Sequence, residues 1–279
     1  ITTMIKVIIK IVLYYLLTSI MIINNKYSII NEIGQGAFGR LYSGKHIYTD
    51  EPVAIKLQLH DGEVVIRNEA KILKLLLNTE GVPRIKAFGK QNGVNYMVID
   101  LLGNNIERLV GNTDVKYVCA ILRILVTIIE GIHNKGVVHR DLKPDNVLFS
   151  IDKKSIYVID YGISAMYVDE DGKHLPEQRG RPLIGNISFV SKNIHSGYNP
   201  SRRDDVISLC YMAFYLLSGS LPWSLVDTDT VGFIKNSVNF REYYGDIVND
   251  KIYNVYEYCN KLTFKEAPNY DYICKQLTL

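Results

Sequence analysis

Short apolar stretches near the start of the chain are followed by longer stretches in which apolar residues recur at helical spacing. Strands are predicted over Tyr27–Ile33, Arg40–His46 and Val53–Lys56. Helices are predicted over Gly62–Leu77 and Val115–Lys135, where the apolar period is close to 3.6 residues. The pattern indicates a small sheet at the start of the domain and mostly helices after it.

The helical segments differ in how much of their surface is apolar. In the first, Glu69 lies at the edge of an apolar stripe made of Ile66, Ala70, Leu73 and Leu77. In the second, Gly136 is expected to close a helix whose stripe comprises Val118, Leu122, Leu125, Ile129 and Ile132. Val206–Leu217 is apolar on nearly every side, which predicts a buried central helix.

Residues 1–24 form an apolar N-terminal segment that stands apart from the rest. Ile11–Ile23 is an uncharged apolar run of thirteen residues, preceded by Lys6 and Lys10. A run of this length is compatible with a core helix, with the apolar region of a signal sequence and with a short membrane span. Three interpretations stay open: upstream or non-native sequence before Met21, a membrane-associated helix, or packing on the following domain.

Composition narrows the class of protein. A hydrophobic content of 47% and a charged content of 22% fit a globular chain and exclude global disorder. The net charge of +3, without a long Lys/Arg run, excludes a protein organised around nucleic-acid backbone binding. No CxxC pair occurs among the four cysteines, so a disulfide framework or zinc site is not expected and a reducing compartment is favoured.

A glycine-rich loop separates the first two predicted strands, with the sequence Gly34-Gln35-Gly36-Ala37-Phe38-Gly39. Dinucleotide-binding folds use the same GxGxxG spacing, but there the glycines open a helix. Here a strand follows, beginning near Leu41, so the loop is expected to lie as a flap over phosphates. An ordinary glycine-rich hairpin is the alternative. Lys56, which ends an apolar strand, and Glu69 are expected to pair and to position nucleotide phosphates.

The strongest motif follows the second long helix and reads His139-Arg140-Asp141-Leu142-Lys143-Pro144-Asp145-Asn146. A hairpin with its second strand over Ser155–Ile159 leads to Asp160-Tyr161-Gly162, nineteen residues after Asp141. Phosphoryl transfer needs a carboxylate to accept the hydroxyl proton, oxygen ligands for magnesium and cations beside the phosphates. Asp141 suits the first task, Asn146 and Asp160 the second, and Lys56 and Lys143 the third.

These motifs resemble the eukaryotic-type protein kinases, and the resemblance covers Asn25 to Leu277. The casein kinase I group is favoured by Ser201-Arg202-Arg203-Asp204-Asp205, Leu101-Leu102-Gly103, Gly219-Ser220-Leu221-Pro222-Trp223 and the tail Leu262–Tyr272. The stretch Gly185–Pro200 and Tyr161 also resemble the vaccinia-related kinases, but those relatives usually carry glycine where Arg140 stands.

The resemblance implies an α+β, bilobal protein-kinase-like fold over residues 25–279. It places a small antiparallel-sheet N-lobe with one helix at about 25–99, a hinge at about 100–103 and a larger, mostly helical C-lobe at about 104–279. ATP is expected between the lobes, with adenine against Ala54, Ile99 and the backbone of Asp100 to Leu102. The implied nucleotide-binding residues are Gly34, Gln35, Gly36, Ala37, Phe38, Gly39, Leu41, Ala54, Lys56, Ile99, Asp100 and Leu102.

The resemblance also implies protein serine/threonine kinase activity that depends on ATP and on Mg²⁺, or Mn²⁺ in its place. The implied catalytic residues are Lys56, Glu69, Asp141 and Lys143, and the implied metal ligands are Asn146 and Asp160. Asp205 resembles the acid that ties the catalytic-loop backbone to the central helix. The expected partners are ATP and proteins with Ser/Thr acceptors, without nucleic acid. A cytoplasmic or nuclear monomer is expected, with membrane contact only if residues 11–23 are an anchor.

Several positions depart from the casein kinase I pattern. Asn186 stands where the family has Thr and is expected to donate a hydrogen bond beside the catalytic aspartate. Ser188 replaces the Arg of an anion site, and the companion lysines are replaced in an ungapped comparison by Asp227, Val231 and Ile234, with Lys235 adjacent. Weak preference for acidic or phosphate-primed substrates follows. A pseudokinase or scaffold, and a small-molecule phosphotransferase, are the alternative functions.

Overall fold

The computed structural model describes residues 22–35, 39–58 and 63–278, and these residues form two compact units. The first unit contains the described residues up to Ala70 together with Arg84–Leu102. The second contains Lys71–Pro83 and the described residues from Gly103 onward. The apolar run before Ile22 lies outside the described residues, so all three interpretations of it stay open.

The first unit is built on an antiparallel sheet whose described strands run in the order β1-β2-β3-β4-β6-β5. The strands are β1 (Ile22–Ile23), β2 (Tyr27–Gln35), β3 (Gly39–His46), β4 (Pro52–Gln58), β5 (Ile85–Gln91) and β6 (Val94–Asp100). One hydrophobic cluster on this sheet joins Tyr27, Val53, Ile55 and Val98 with neighbouring apolar side chains. The predicted strands are therefore present, each with bounds shifted by a few residues.

The sheet begins at Ile22, three residues before the predicted start of the domain at residue 25. Ile22 and Ile23, assigned there to the N-terminal segment, pair with Ser28 and Tyr27 as β1. Ile23 is 2% exposed and belongs to the hydrophobic cluster. Burial of this side chain explains why the apolar pattern continues to the very edge of the domain.

The second unit is mostly helical, and one helix, α1, is divided between the two units. The helices are α1 (Glu63–Leu75), α2 (Val115–Asn134), α3 (Lys192–His195), α4 (Arg202–Ser218), α5 (Thr228–Ser237), α6 (Phe240–Tyr244), α7 (Asp250–Lys261) and α8 (Tyr270–Gln276). Short 3₁₀ turns occur at Ile106–Leu109, Pro144–Asn146 and Gly245–Ile247. Two small ladders complete the unit, β7 (Val137–Val138) with β10 (Ala165–Met166) and β8 (Val147–Phe149) with β9 (Ile156–Val158). Within the described ranges, no helix is long and apolar enough to span a bilayer.

Helix α4 occupies the centre of the second unit and packs against α2 and α7. Nearly all of its side chains from Val206 to Leu216 are buried, as the all-round apolar sequence predicted. Ser201 and Asp204 form a capping box at its first turn, and Gly219 adopts φ 81 to end it. These signals fix where α4 begins, and therefore where Asp205 lies.

Helix α1 departs from the predicted bounds at its C-terminal end. It stops at Leu75, two residues before the predicted end. Because the helical rotation ceases there, Leu76 is buried in place of Leu77, which is 50% exposed. The remainder of the predicted stripe is buried, and the stripe predicted for α2 is buried throughout. Gly136 adopts φ 78 just past α2, in agreement with its predicted role.

Candidate active site

The predicted pair of Lys56 and Glu69 is formed within the first unit. Lys56 lies in β4, opposite Leu41 of β3, and Glu69 lies on α1. The distance from Lys56 Nζ to Glu69 Oε2 is 2.6 Å, and Glu69 is 3% exposed. A carboxylate this deeply buried needs a cation because desolvation disfavours an isolated charge. Glu69 is therefore a buried, paired carboxylate, as its place at the edge of the apolar stripe predicted.

The residues expected to bind nucleotide also lie in the first unit, except for Gly36, Ala37 and Phe38, which lie outside the described residues. Gly34 and Gln35 end β2, and Gly39 begins β3 with a position where a Cβ atom would lie 2.3 Å from the Leu57 carbonyl oxygen. Ala54 and Ile99 are register partners on β4 and β6. Their side chains therefore sit next to each other on the sheet.

Asp100 and Leu102 follow at the end of β6 and beyond it. The Asp100 carboxylate accepts a hydrogen bond of 2.8 Å from Arg84 N and lies 2.9 Å from Lys86 Nζ. Burial opposes the charge on Asp100, but these hydrogen bonds and the nearby lysine keep its pKa below the ordinary value. The side chain of Asp100 thus fastens β6 to the start of β5, while Leu102 is the last residue of the first unit.

In the second unit, Asp141 is surrounded by hydrogen-bond donors. Asn146 Nδ2 donates to Asp141 Oδ2 over 3.0 Å and to the Asp141 carbonyl oxygen over 2.8 Å. Lys143 Nζ lies 3.1 Å from Oδ2, and Asn186 N donates to Oδ1 over 2.9 Å. Both carboxylate oxygens are thus fixed in direction. Lys143 and Asn146, both singled out by the motif, are thus brought together at the carboxylate of Asp141.

The loop that carries Asp141 is held by the buried carboxylate of Asp205. Its Oδ2 accepts from His139 N over 2.7 Å, and its Oδ1 accepts from Arg140 N over 3.0 Å. Arg140 has φ 76, a left-handed conformation that a non-glycine residue keeps only when its surroundings enforce it. The predicted tie between Asp205 and the loop backbone is therefore present in the structure.

Asp205 has a further partner that sequence reasoning missed. His133 Nε2 lies 2.9 Å from Asp205 Oδ2, and His133 Nδ1 lies 2.6 Å from the Tyr270 hydroxyl. Burial opposes ionisation of Asp205, but its hydrogen bonds with His133 and with the backbone of the loop keep its pKa below the ordinary value. The carboxylate is therefore kept ionised in the interior, where it orders the loop.

Asp160 lies at the end of the β8–β9 hairpin, next to the catalytic loop. Ile159 N donates to the Asn146 carbonyl oxygen over 2.9 Å, which joins the two segments just before Asp160. Asp160 has φ 66, and the next residue, Tyr161, is fully buried with its ring 4.9 Å from His139. Asp160 is therefore the second residue beside this loop whose backbone is left-handed.

Asn146 and Asp160 fit a magnesium site of the kind that is completed by phosphates. The nitrogen of the Asn146 amide makes both of the bonds to Asp141, so its oxygen is the ligand atom that remains. Magnesium is commonly held by one or two carboxylates together with substrate phosphates, rather than by an all-protein cage. Within the described ranges, no group of three or more His, Cys, Asp or Glu side chains is arranged to hold a metal ion by itself.

The segment Asn186–Val190 approaches Asp141 in a way that differs from the sequence prediction. The bond to Asp141 is donated by the backbone N–H of Asn186, whereas the side chain of Asn186 accepts from Ser188 N over 2.9 Å. An amide carbonyl near its own backbone readily makes such a local turn. Before it, Gly185 has φ 104, and a Cβ atom there would lie 2.4 Å from the Arg140 carbonyl oxygen. Only glycine suits this close approach.

Lys235, which follows Ile234 at the position of a family lysine, is buried in the structure. It is 2% exposed on α5, whereas Phe233, two residues before it, is 74% exposed. A hydrophobicity pattern predicts the opposite orientation. Asp227, which replaces a family lysine, caps α5 by accepting from Thr230 N over 3.1 Å. The capping pattern of Asp before a helix could have signalled that role.

A family model of the protein kinase domain matches residues 27–265 of the chain. This match covers strands β2 to β6, the loop around Asp141 and helix α4, and the chain belongs to the protein kinase domain family. The expected relation to eukaryotic-type protein kinases is thereby confirmed. Membership supports a phosphotransferase and implies use of ATP, usually with a divalent metal.

Proposed function

We propose that this protein is an ATP- and Mg²⁺-dependent serine/threonine protein kinase of the casein kinase I type. The observation that carries the proposal is the environment of Asp141, whose two carboxylate oxygens are held by Asn146, Lys143 and the Asn186 N–H. A carboxylate oriented in this manner can align an acceptor hydroxyl and take its proton.

In the proposed reaction the acceptor hydroxyl oxygen bonds to the γ-phosphorus of ATP as the bond to the β–γ bridging oxygen breaks. The hydroxyl proton passes to the carboxylate of Asp141, and ADP leaves. Lys143 places positive charge next to the transferring group, and Lys56, held by Glu69, is suited to bind the other phosphates. Asn146 and Asp160 would hold Mg²⁺, which neutralises charge on the phosphates when it is bound.

The assignment to the casein kinase I group is supported by the distinct contacts of the motif Ser201–Asp205. Asp204 accepts from Ser191 Oγ over 2.6 Å and from Asn193 Nδ2 over 2.9 Å, and Arg203 donates to the Leu262 carbonyl oxygen over 2.6 Å. Asp205 orders the catalytic loop, as described above. Arg203, Asp204 and Asp205 are all buried, so these three side chains connect the start of α4 to the segments around it.

The test is transfer from γ-labelled ATP with Mg²⁺ to dephosphorylated casein by the parent and by Asp141→Asn. The substitution keeps the shape of the side chain and removes the proton acceptor, which is worth on the order of 10²–10⁴ in rate. Asp271→Asn, an exposed acid on α8, is the matched control and should retain the parental rate. A parent that binds ATP in a thermal-shift assay without transferring phosphate would identify a pseudokinase and contradict the proposal.

We also infer weak preference for phosphate-primed substrates. Ser188 supplies one neutral hydroxyl where the family has Arg, and the adjacent Lys235 is buried, with its amine bonded to backbone carbonyls. A charge-assisted bond to phosphate is worth roughly 1.5–3 kcal/mol, or about one to two decades of preference. Ser188→Arg should raise kcat/KM for a peptide with phosphoserine three residues before the acceptor, relative to its unphosphorylated match. A hundredfold primed-peptide advantage in the parent that Ser188→Arg leaves unchanged would contradict this inference.

A further inference from the structure

Lys235 combines deep burial with a set of partners that contains no acid. Its side chain projects from α5 into the second unit, and no carboxylate in the described part of the chain forms an ion pair with it. Its Nζ lies 4.7 Å from the centre of the Trp223 ring and 5.1 Å from that of Tyr211. Placing an amine here is costly because burial removes the water that would solvate it.

The partners that Lys235 does have are backbone carbonyls of one short stretch, Ile187–Val190. Nζ donates to the Ile187 carbonyl oxygen over 2.7 Å and to the Val190 carbonyl oxygen over 2.6 Å. Trp223 Nε1 donates to the carbonyl oxygen between them, that of Ser188, over 3.0 Å. Three carbonyls of a four-residue stretch are thus bound from the same side.

This stretch is joined directly to the candidate active site. Asn186 N donates to Asp141 Oδ1, and Asn186 Oδ1 accepts from Ser188 N, both over 2.9 Å. A continuous set of hydrogen bonds therefore runs from Asp141 through Asn186 to Ile187–Val190 and on to Lys235. Ile187 and Ser188 are half-buried, whereas Phe189 and Val190 are buried. A displacement of the stretch would therefore move the partly accessible side chains of Ile187 and Ser188 relative to the carboxylate of Asp141.

The protonation of Lys235 involves His195 as well. Burial lowers the pKa of Lys235 to about 6, and His195 Nε2 lies 3.2 Å from Nζ and 3.2 Å from the Ile187 carbonyl oxygen. Burial and the neighbouring lysine also lower the pKa of His195, and burial raises that of Tyr211 well above its ordinary value. Charged or neutral, the amine keeps at least two N–H groups, which is what the two carbonyl bonds require.

We propose that Lys235 is a positioning residue that sets the Ile187–Val190 stretch as the surface on which the acceptor peptide lies beside Asp141. The proposal rests on the proposed kinase function, which it extends to a determinant of peptide binding. Because Lys235 is buried, it acts through the carbonyls that it holds. Its cost in stability is thereby balanced by order in a segment that contacts the candidate catalytic carboxylate.

The test compares the parent with Lys235→Met, which has similar volume and lacks the donors. With a serine peptide from dephosphorylated casein as acceptor, the peptide KM should rise about tenfold, as expected for two lost hydrogen bonds. The KM for ATP should stay at the parental value, and kcat should stay within about twofold because uniform binding alone is lost. Melting temperature should rise or stay constant because a buried amine is removed. Lys261→Met, an exposed lysine on α7, serves as the matched control.

A second readout needs neither ATP nor acceptor. Backbone amide exchange over residues 186–191 should speed up in Lys235→Met and stay at the parental rate in Lys261→Met. This measurement keeps the inference testable even if the parent proves inactive, in which case the proposed function fails by itself.

Trp223→Phe provides an independent variant, since it keeps an aromatic ring and removes the N–H bonded to Ser188. It should raise peptide KM by about threefold, since one lost hydrogen bond carries about half the free energy of the two lost in Lys235→Met. Unchanged peptide KM and unchanged amide exchange in both folded variants would overturn the proposal. A lower melting temperature together with equal losses in kcat and in ATP binding would show a general structural role and would overturn it as well.

Discussion

Asp205 and Lys235 are both buried ionisable side chains of the second unit that bond to the backbone of a loop, yet their surroundings are opposite. Asp205 accepts two backbone N–H groups and lies against His133, so the interior favours its ionised form. Lys235 donates to two backbone carbonyls and lies between aromatic rings and a histidine, so the interior disfavours its charge. The pKa of each group is lowered, which favours the charged form of the acid and the neutral form of the base.

The difference shows that ordering a loop and stabilising the fold are separate contributions. Asp205 does both, because its charge is matched by donors on every side. Lys235 orders its segment at the expense of folding free energy, because only neutral dipoles surround it. Substitution should therefore lower the unfolding free energy at Asp205 and raise it at Lys235.

Asp205→Asn should produce the largest loss. The carboxylate of Asp205 has two acceptor oxygens, whereas the amide of Asn has one. In the variant, at least one of the three partners, which are His139 N–H, Arg140 N–H and His133, therefore faces the amide NH₂ group. Breaking a buried charged network costs about 3–5 kcal/mol of unfolding free energy. Displacement of the loop by about 1 Å would lower kcat about 100-fold. Denaturant unfolding and transfer assays measure both, with Asp271→Asn as the exposed control.

The same variant has a defined pH signature. Because the pKa of Asp205 is lower in the folded protein, its contribution is present above the unfolded value of 3.8 and is lost as pH falls through the folded value. The difference between parent and Asp205→Asn should shrink on acidification. A difference that grows towards low pH would contradict the assignment of Asp205 as a stabilised anion.

Lys235→Met should have the opposite sign, with a gain of about 2 kcal/mol in unfolding free energy near neutral pH. The pKa of Lys235 is about 6 in the folded protein and 10.5 ordinarily, so the unfolded chain binds more protons between these values. Parental stability therefore rises with pH in this window, and the gain in the variant should disappear towards pH 10. A gain that is equal at pH 7 and at pH 10 would show that packing, and not the buried amine, accounts for it.

Tyr270→Phe sharpens the comparison at the edge of the Asp205 network. It removes only the hydroxyl that lies 2.6 Å from His133 Nδ1, and the loss should be about 1 kcal/mol. Tyr272→Phe, on the same helix and 36% exposed, should leave unfolding free energy within about 0.5 kcal/mol of the parent. Equal losses in the two variants would remove His133 and Tyr270 from the network that orders the loop.

Phosphatase treatment should have the smallest effect, namely unchanged activity. No threonine lies between Asp160 and Ser191, and three of the hydroxyls there are engaged in the interior. Tyr161 donates to Val158, Ser164 to His139 and Tyr167 to His133, each through a carbonyl oxygen. Order in this segment thus comes from internal bonds and not from an added phosphate. Loss of activity on dephosphorylation, restored by an upstream kinase, would contradict this expectation.

Much of the fold and part of the site follow from local sequence signals. The strands β2, β3 and β4, the helices α2 and α4 and the Lys56–Glu69 pair were predicted from periodicity or motif spacing. The tie from Asp205 was predicted from the resemblance to protein kinases. The contacts of His133 and Lys235 were not, because their partners lie 72 and 45 or more residues away and no short pattern encodes them.

Local chemistry also misled the prediction at two places. Leu77 was expected in the core, but α1 ends at Leu75, so Leu76 is buried and Leu77 is exposed. Asn186 was expected to use its side chain on Asp141, but the local bond with Ser188 engages that side chain and leaves the backbone N–H to reach the carboxylate. Both errors arise where a turn, which depends on the neighbouring backbone, decides which group points inward.

Trp223 gives the molecule a built-in optical reporter. It is the only tryptophan of the chain, its indole N–H is bonded to the Ser188 carbonyl oxygen, and its ring faces the amine of Lys235. Indole emission responds to a hydrogen bond and to a charge at the ring face. The fluorescence of the unlabelled protein therefore depends on the conformation of the Ile187–Val190 stretch. Binding of a tryptophan-free peptide, or gain of a proton by Lys235, can thus be followed in real time by fluorescence alone.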